Sequence, residues 1–441
     1  MFTNKDLKNL IVPLFLEQLL VMLVGIADTF IVSYAGEAAV SGVSLVNSFS
    51  TIFIYLFTAL ASGGAVVISQ YIGRGVKEDA GEAASQLLTS STLFSLIISI
   101  VILALHRPML GLLFGQVEPA VMDACVVYLQ ISVFSYPALA VYNAGAALYR
   151  SLGKTSVTMY ISIASNAINV VGNLIGVFVL RAGVAGVAWP TLIARVFSAA
   201  VITVLCFDKR VDVRYTWRQI CKWNGELMKR ILRIAVPNGV ENGIFQLVKV
   251  ALSSVVALFG TYQIAANGIA QSVWSLAALA GVTMGPVFIT VIGQCMGAGD
   301  MAQAEHYFKK LLKITLTISL VWNGLVFAIT PVMMNFYQIS EEAKHLVVIL
   351  VLIHNIFNTV AFPMSGPLSN GLRAAGDIKF TMIISIASTI GGRLLFSLLF
   401  AIVFNWGVIG IAAAMCLDWV IRAVIFALRL KSGKWKECKV I

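Results

Sequence analysis

Charge is what this sequence has least of. Asp, Glu, Lys and Arg make up 12% of its 441 residues, about half the roughly 25% of an ordinary globular chain. Hydrophobic residues reach 59% and the mean hydropathy is +0.91. A soluble core of this size cannot hide that much apolar surface, because a folded sphere needs a polar skin. The chain must take lipid as its solvent. Cysteine pairing is also missing: Cys125, Cys206, Cys221, Cys295, Cys416 and Cys438 are scattered without a C-x-x-C, so neither a disulfide framework nor a zinc site is indicated. No G-x-x-x-x-G-K-[ST] occurs, which excludes direct drive by ATP through that loop. His106, His306, His345 and His354 are dispersed, and no Ser/His/Asp set, acidic D-D-x-x-D cluster or metal-ligand grouping appears. The expectation is a protein that is not an enzyme and carries no cofactor or metal.

What is present is long apolar runs. Crossing about 30 Å of hydrocarbon takes about 20 helical residues, and twelve segments qualify: approximately 10–34, 45–72, 87–105, 124–149, 155–180, 182–207, 231–259, 264–296, 314–336, 346–372, 380–404 and 407–428. They must be helices, since lipid offers no partner to an open strand edge. A β-barrel would instead alternate in segments of about ten residues. Lys5 and Lys8 precede a first run too long for a signal peptide, with no small-residue cleavage site after it, so it reads as a retained span.

The basic residues give the orientation. With the N-terminus in the cytoplasm, 24 Lys and Arg fall on the cytoplasmic side, eight of them in the central spacer between Lys209 and Arg233. Arg107, Arg181 and Lys344 are the three opposite. That bias predicts both termini inside a plasma membrane. It also accounts for the net charge of +11 without a nucleic-acid partner.

The halves repeat. At an offset of 224, Val12-Pro13-x-x-x-Glu17 falls on Val236-Pro237-x-x-x-Glu241, Gly36 on Gly260, and Gln70-x-x-Gly73-x-Gly75 on Gln294-x-x-Gly297-x-Gly299. At 223, Arg150-x-x-Gly153 meets Arg373-x-x-Gly376, and Ile161-Ser-Ile-Ala-Ser165 recurs as Ile384-Ser-Ile-Ala-Ser388. Six spans per repeat is even, so both halves enter from one side, as in parallel repeats about an axis along the membrane normal. The expected architecture is all-α: two pseudosymmetric six-helix bundles, residues 1–207 and 231–441, joined by a cytoplasmic linker at 208–230 and ending in a basic tail. Two bundles rocking about a shared cleft is a transporter's arrangement.

These residues resemble a family. Pro13 with Asp28-Thr-x-x-x-Ser, the Gln-x-x-Gly-x-Gly ends of spans 2 and 8, Arg150-x-x-Gly-x-Thr155, and Asn169 through Gly186-Val-Ala-x-x-Thr191 together look like a prokaryotic multidrug and toxic compound extrusion (MATE) transporter of the MOP flippase superfamily. The resemblance covers about residues 5–430. It implies export of small amphipathic cations in exchange for H⁺ or Na⁺ by a monomer. A flippase of lipid-linked oligosaccharide is the alternative, although those commonly have more spans and strongly basic cavities.

Eight ionisable residues fall inside spans: Glu17, Asp28, Arg195, Glu241, Lys249, Arg393, Asp418 and Arg422. Each costs on the order of 2.5–3.5 kcal/mol at a helix centre, so each needs a reason. Glu17 and Asp28 are 11 residues apart, about 20° from three full turns, and share a face at two depths. The resemblance makes Asp28 the coupling acid. Asn166, Asn169 and Asn173 form one stripe; family members of the proton type often carry Asn-x-x-x-Asp there, and this chain has Asn169-x-x-x-Asn173. Thr191 matches a hydroxyl of the same cluster. Glu241 corresponds to an acid implicated in cation binding in the Na⁺-type branch, with Lys249 a candidate counter-ion and His354 a nearby polar group. Glu17 is a secondary polar site by its repeat match to Glu241. Asp418 and Arg422 have the spacing of a helical ion pair, whereas Arg195 and Arg393 have no partner readable from the sequence. Phe53, Met159, Trp274 and Met284 are candidates to line a cavity tolerant of greasy cations, although such residues usually only pack.

Overall fold

A computed structural model describes residues 2–337 and 339–441. Among these every regular element is helical. The first compact unit, Phe2–Val236, contains α1 (Asn4–Ser33), α2 (Glu37–Arg74), α3 (Lys77–Phe114), α4 (Pro119–Phe134), α5 (Tyr136–Ser151), α6 (Thr155–Leu174), α7 (Ala185–Cys206) and the short α8 (Trp217–Cys221). Thr3 opens α1 with a capping box: its hydroxyl accepts from Asp6 N–H, and Asp6 reaches back to Thr3 N–H. Such reciprocal bonds satisfy two otherwise orphan donors. A bend of 42° separates α4 from α5 at Ser135, where the Pro137 ring near the start of α5 cannot donate to the preceding turn. The pair therefore serves as one broken span, and the unit has six.

The second unit, Pro237–Ile441, holds most of α9 (Gly225–Val256), then α10 (Thr261–Gly297), α11 (Met301–Met334), α12 (Glu341–Ser365), α13 (Pro367–Ala374) and α14 (Ile378–Ala387). From α14 the chain winds as a π-helix over Ser388–Leu395, passes through α15 (Phe396–Leu398) and a second π stretch at Leu399–Val403, and ends in α16 (Gly407–Ser432). Ten helices are long and apolar enough to cross a membrane, and the bent α4–α5 pair adds an eleventh span. The 32-residue α9 completes twelve; Glu241 and Lys249 make it more polar than the rest.

The internal repeat is written into the backbone as well as the side chains. A π turn at Ile175–Val179 lies 224 residues before that at Leu399–Val403. Each is followed by a left-handed residue, Arg181 (φ 49°) and Asn405 (φ 57°), and then by left-handed Gly183 and Gly407. A non-glycine residue with positive φ is uncommon, so its recurrence at the same offset marks a conserved corner of the repeat unit. At the first corner, the π turn after α6 crosses α7 at Gly176 and Gly186, where a Cβ on either would meet the other's backbone. Small residues permit such close crossings in lipid.

Two segments differ from the sequence expectation. Residues 208–230 are not a free connector: they carry α8 and the start of α9, and the chain divides between Val236 and Pro237. The fully buried Gln86 of α3 holds this segment, its Nε2 donating to the carbonyls of Gln219 (2.7 Å) and Lys222 (2.6 Å) while its Oε1 accepts from Asn224 N–H (3.2 Å). Lys77 pairs with Asp212 at 2.9 Å and holds that carboxyl below the usual carboxylate range. The basic tail is likewise folded back. Trp435 is fully buried against Phe308, and Lys436 pairs with Glu305 at 2.6 Å.

Candidate functional site

Asp28 sits on α1 at the level of the asparagine stripe of α6. Asn173 Nδ2 donates to its Oδ1 at 2.7 Å. The Asn169 carboxamide lies 2.8 and 3.1 Å from the two carboxylate oxygens and 3.0 Å from Thr191 Oγ1 on α7; turned with its nitrogen toward Asp28, it donates to the aspartate and accepts from the threonine. Asp28, Asn169, Asn173 and Thr191 thus form one cluster. Asn166 stands apart and donates to Ser162 Oγ. Among the described residues no Lys or Arg pairs with Asp28. Its charge is held by amide dipoles alone.

Glu17, lower on α1, is treated differently. It is buried, with Arg150 Nη2 at 2.8 Å, Thr158 Oγ1 donating at 2.9 Å and Tyr142 OH at 3.4 Å. Arg195, the remaining in-span cation of this unit, donates to Ser135 Oγ at 2.7 Å at the α4–α5 bend.

The second unit repeats the lower pair. Glu241 accepts from Arg373 Nη2, and Arg373 Nη1 donates to Asn238 Oδ1 and Asn370 Oδ1 at 3.1 and 3.0 Å. This corrects the assignment of Lys249 as the counter-ion. Lys249 lies eight residues along α9, roughly 12 Å of rise and about 80° off the Glu241 face, and it is exposed with no acidic partner among the described residues. Arg150 and Arg373, read from sequence as cytoplasmic spacer charges, are instead the inner partners of two buried ion pairs.

Asp418 on α16 is fully buried. Arg422 Nη2 lies 2.7 Å and Arg393 Nε 3.2 Å from its Oδ2, and Ser388 Oγ donates to Oδ1 at 2.6 Å. The i,i+4 spacing foretold Arg422; Arg393 comes from the π stretch after α14 and gives no sequence signal. His354 is buried in a sandwich, its ring parallel to Trp274 at 5.2 Å and edge-on to Trp419 at 5.1 Å, with Nδ1 against Asn355 Oδ1. Asn323 links this group, accepting from Asn355 and Asn358. These bonds read as interhelical glue rather than as an ion site.

Of the four cavity candidates, Trp274 and Met284 are packed inside the second unit, at 8% and 0% exposure. Met159 is nearly buried on α6. Phe53 is half-buried, with ring contacts to Phe49 and Tyr136 at 5.2 and 5.9 Å. An open polar groove of the second unit, a cavity of about 480 Å³, is lined by Ser253, Asn267, Gln271, Ser272 and Ser275 among others.

A two-repeat, multi-pass helical bundle with carboxylates buried in its spans defines a membrane transporter. The MatE family model matches residues 13–175 and 237–405, one match in each repeat, and the chain belongs to that family. Its relatives include the uncharacterized transporter YisQ of Bacillus subtilis (strain 168), 27% identical over 96% of this chain and 93% of that one. The probable multidrug resistance protein NorM of Thermotoga maritima is 24% identical, over 99% and 94%. Among solved structures, MATE in complex with MaL6 aligns with a TM-score of 0.89 at 22% identity, covering 98% of this chain and 97% of that chain. An outward-facing multidrug resistance MATE family transporter of the MOP superfamily gives 0.88 at 21%, covering 98% and 96%. These likenesses fix the twelve-span fold of a multi-pass membrane protein.

Proposed function

We propose that this protein is a secondary active exporter that moves amphipathic, cationic compounds out across the cytoplasmic membrane in exchange for H⁺ or Na⁺, with both termini inside. The observation that carries the reading is Asp28. Glu17, Glu241 and Asp418 each have an arginine within salt-bridge distance; among the described residues Asp28 has only the amides of Asn173 and Asn169. A carboxylate inside a membrane span without a counter-ion costs free energy, which a proton or a bound cation relieves. The amides and Thr191 hold the group in place whether it is charged or neutral. If substrate and neutralising ion favour different arrangements of the protein, antiport follows, since a ligand shifts an equilibrium only by its differential affinity. The relatives named for multidrug resistance support export as the direction of transport.

The test is dye efflux from proteoliposomes under separately imposed proton and sodium gradients. Asp28→Asn should fold and bind dye with little change yet lose gradient-driven transport. If the purified variant still concentrates dye as fast as wild type, Asp28 is structural and the reading fails.

A further inference from the structure

The lower ion pairs balance: Glu17 with Arg150, and Glu241 with Arg373. The cluster on α16 does not. Asp418 faces two guanidinium groups, Arg393 and Arg422, through the same Oδ2, which leaves one positive charge in excess. The neighbouring His354 and Cys416 bring no negative charge as neutral groups, and no second carboxylate reaches the cluster among the described residues. Both arginines keep donors to spare, since the Nε of each is buried without a hydrogen-bond partner among the described residues; Arg393 is the one with an aromatic face beside it. Its side chain is only 7% exposed, its Nε makes no well-directed hydrogen bond, and its Nη atoms meet no acceptor among the described residues. Its guanidinium lies 4.7 Å from the Phe245 ring of α9. The residue is carried on the π-helical Ser388–Leu395, a rare local winding that recurs at functional sites.

The equivalent crossing in the first unit holds no such charge. Ser165 Oγ donates to the Ala194 carbonyl at 3.0 Å, as Ser388 Oγ does to the Asp418 carbonyl at 3.0 Å, so the crossing is repeated. Ala194, however, stands where Asp418 does, and Val170 or Asn169, by the 223 or 224 offset, where Arg393 does. The charged cluster is therefore present in one repeat only, and the crossing in the other repeat forms without it. A buried, uncompensated guanidinium is costly, and an arginine fork beside an aromatic face matches a planar oxyanion.

We infer that Arg393, held by Asp418 and backed by Phe245, is an oxyanion subsite for the carboxylate of an aromatic compound. The inference rests on the export reading above and narrows it: compounds handled by this chain carry an anionic group in addition to any cationic one, and zwitterionic aromatics are the fitting class. A phosphate of a lipid headgroup shares the oxyanion chemistry, and the experiment separates it.

The full chain is placed in phosphatidylcholine nanodiscs and its thermal unfolding midpoint is followed against benzoate and, as the neutral probe of the same shape, benzamide. Benzoate should raise the midpoint in a saturable way, with benzamide near zero. Arg393→Gln should weaken the apparent benzoate affinity roughly tenfold or more, the loss of a charge-assisted bidentate contact. Arg393→Lys, which keeps the charge opposite Asp418 but not the planar fork, should weaken it a few-fold and remains informative if the glutamine variant does not fold. Arg107→Gln, an exposed cation elsewhere, should bind as wild type does. Discs containing phosphatidylglycerol that suppress the benzoate response would assign the same subsite to a lipid phosphate; an unchanged response assigns it to the compound. Equal shifts from benzoate and benzamide, no benzoate shift, or full affinity in Arg393→Lys each overturn the inference. The readout uses no ion gradient, so a failure here and a failure of efflux in proteoliposomes are separate results.

Discussion

Single residues in this protein divide by whether their charge is answered. Glu17 and Glu241 occupy equivalent places in the two repeats, and each is met by the arginine in the last helical turn of the fourth span of its repeat. Breaking a buried ion pair from one side is costlier than removing both partners, because the survivor keeps its desolvation penalty. Glu241→Gln should therefore destabilise the protein by about 3–5 kcal/mol, whereas Glu241→Gln combined with Arg373→Met should recover a large part of that loss. Thermal unfolding of the three forms in detergent, arranged as a double-mutant cycle, checks the non-additivity; additive losses would mean that the pair is not coupled. The i,i+4 rule and the asparagine stripe made Arg422 and the Asp28 surroundings legible from sequence. Arg373 and Arg393 were not legible as partners, because each reaches its acid from a different helix, 132 residues from Glu241 and 25 from Asp418.

At the scale of elements, the 208–230 segment shows how few side chains can organise a charged loop. Gln86 alone satisfies two carbonyls and one N–H of it, Thr89 Oγ1 lies 3.2 Å from the Ile220 carbonyl, and Asn224 Nδ2 donates to Glu82 at 2.9 Å. A net value of about 0.5–1.5 kcal/mol per hydrogen bond makes Gln86 the largest single tether. Gln86→Ala should speed hydrogen exchange at residues 219–224 by one or more orders of magnitude while leaving the spans protected, as measured by exchange mass spectrometry. Unchanged exchange there would place the tether elsewhere. Composition marked this stretch as a linker correctly in chemistry but not in order: a buried glutamine on α3 has no signature that names a loop more than 130 residues away.

For the molecule as a whole, orientation is the property that the charge pattern predicts and the fold alone leaves open. Removing Arg150 and Arg373, which serve in buried pairs, still leaves a bias of 22 to 3 toward the side of the termini. Cys221 tests it without engineering, since it is exposed in the linker while Cys125, Cys206, Cys295 and Cys416 are buried. A membrane-impermeant maleimide should fail to label intact cells through Cys221 and should label it after permeabilisation, with peptide mapping to separate it from Cys438. Labelling of Cys221 from outside would invert the topology.

The sequence by itself determined the solvent, the twelve spans, their duplication, and the polar stripe of α6, because all of these follow from composition, length and helical period along one chain. That the stripe meets Asp28 was implied by the family resemblance. The structure extends the repeat down to its corners, where Arg181 and Asn405 take the same left-handed turn. Only the tertiary structure decided which buried charge answers which. Glu241 takes Arg373 over Lys249, Asp418 gathers a second arginine from a π-helical turn, and Asp28 is met by amides among the described residues. The reason is physical: burial makes a counter-charge necessary, but its identity depends on which helices pack together, and pairing energy between helices falls with distance in space, not with separation in sequence.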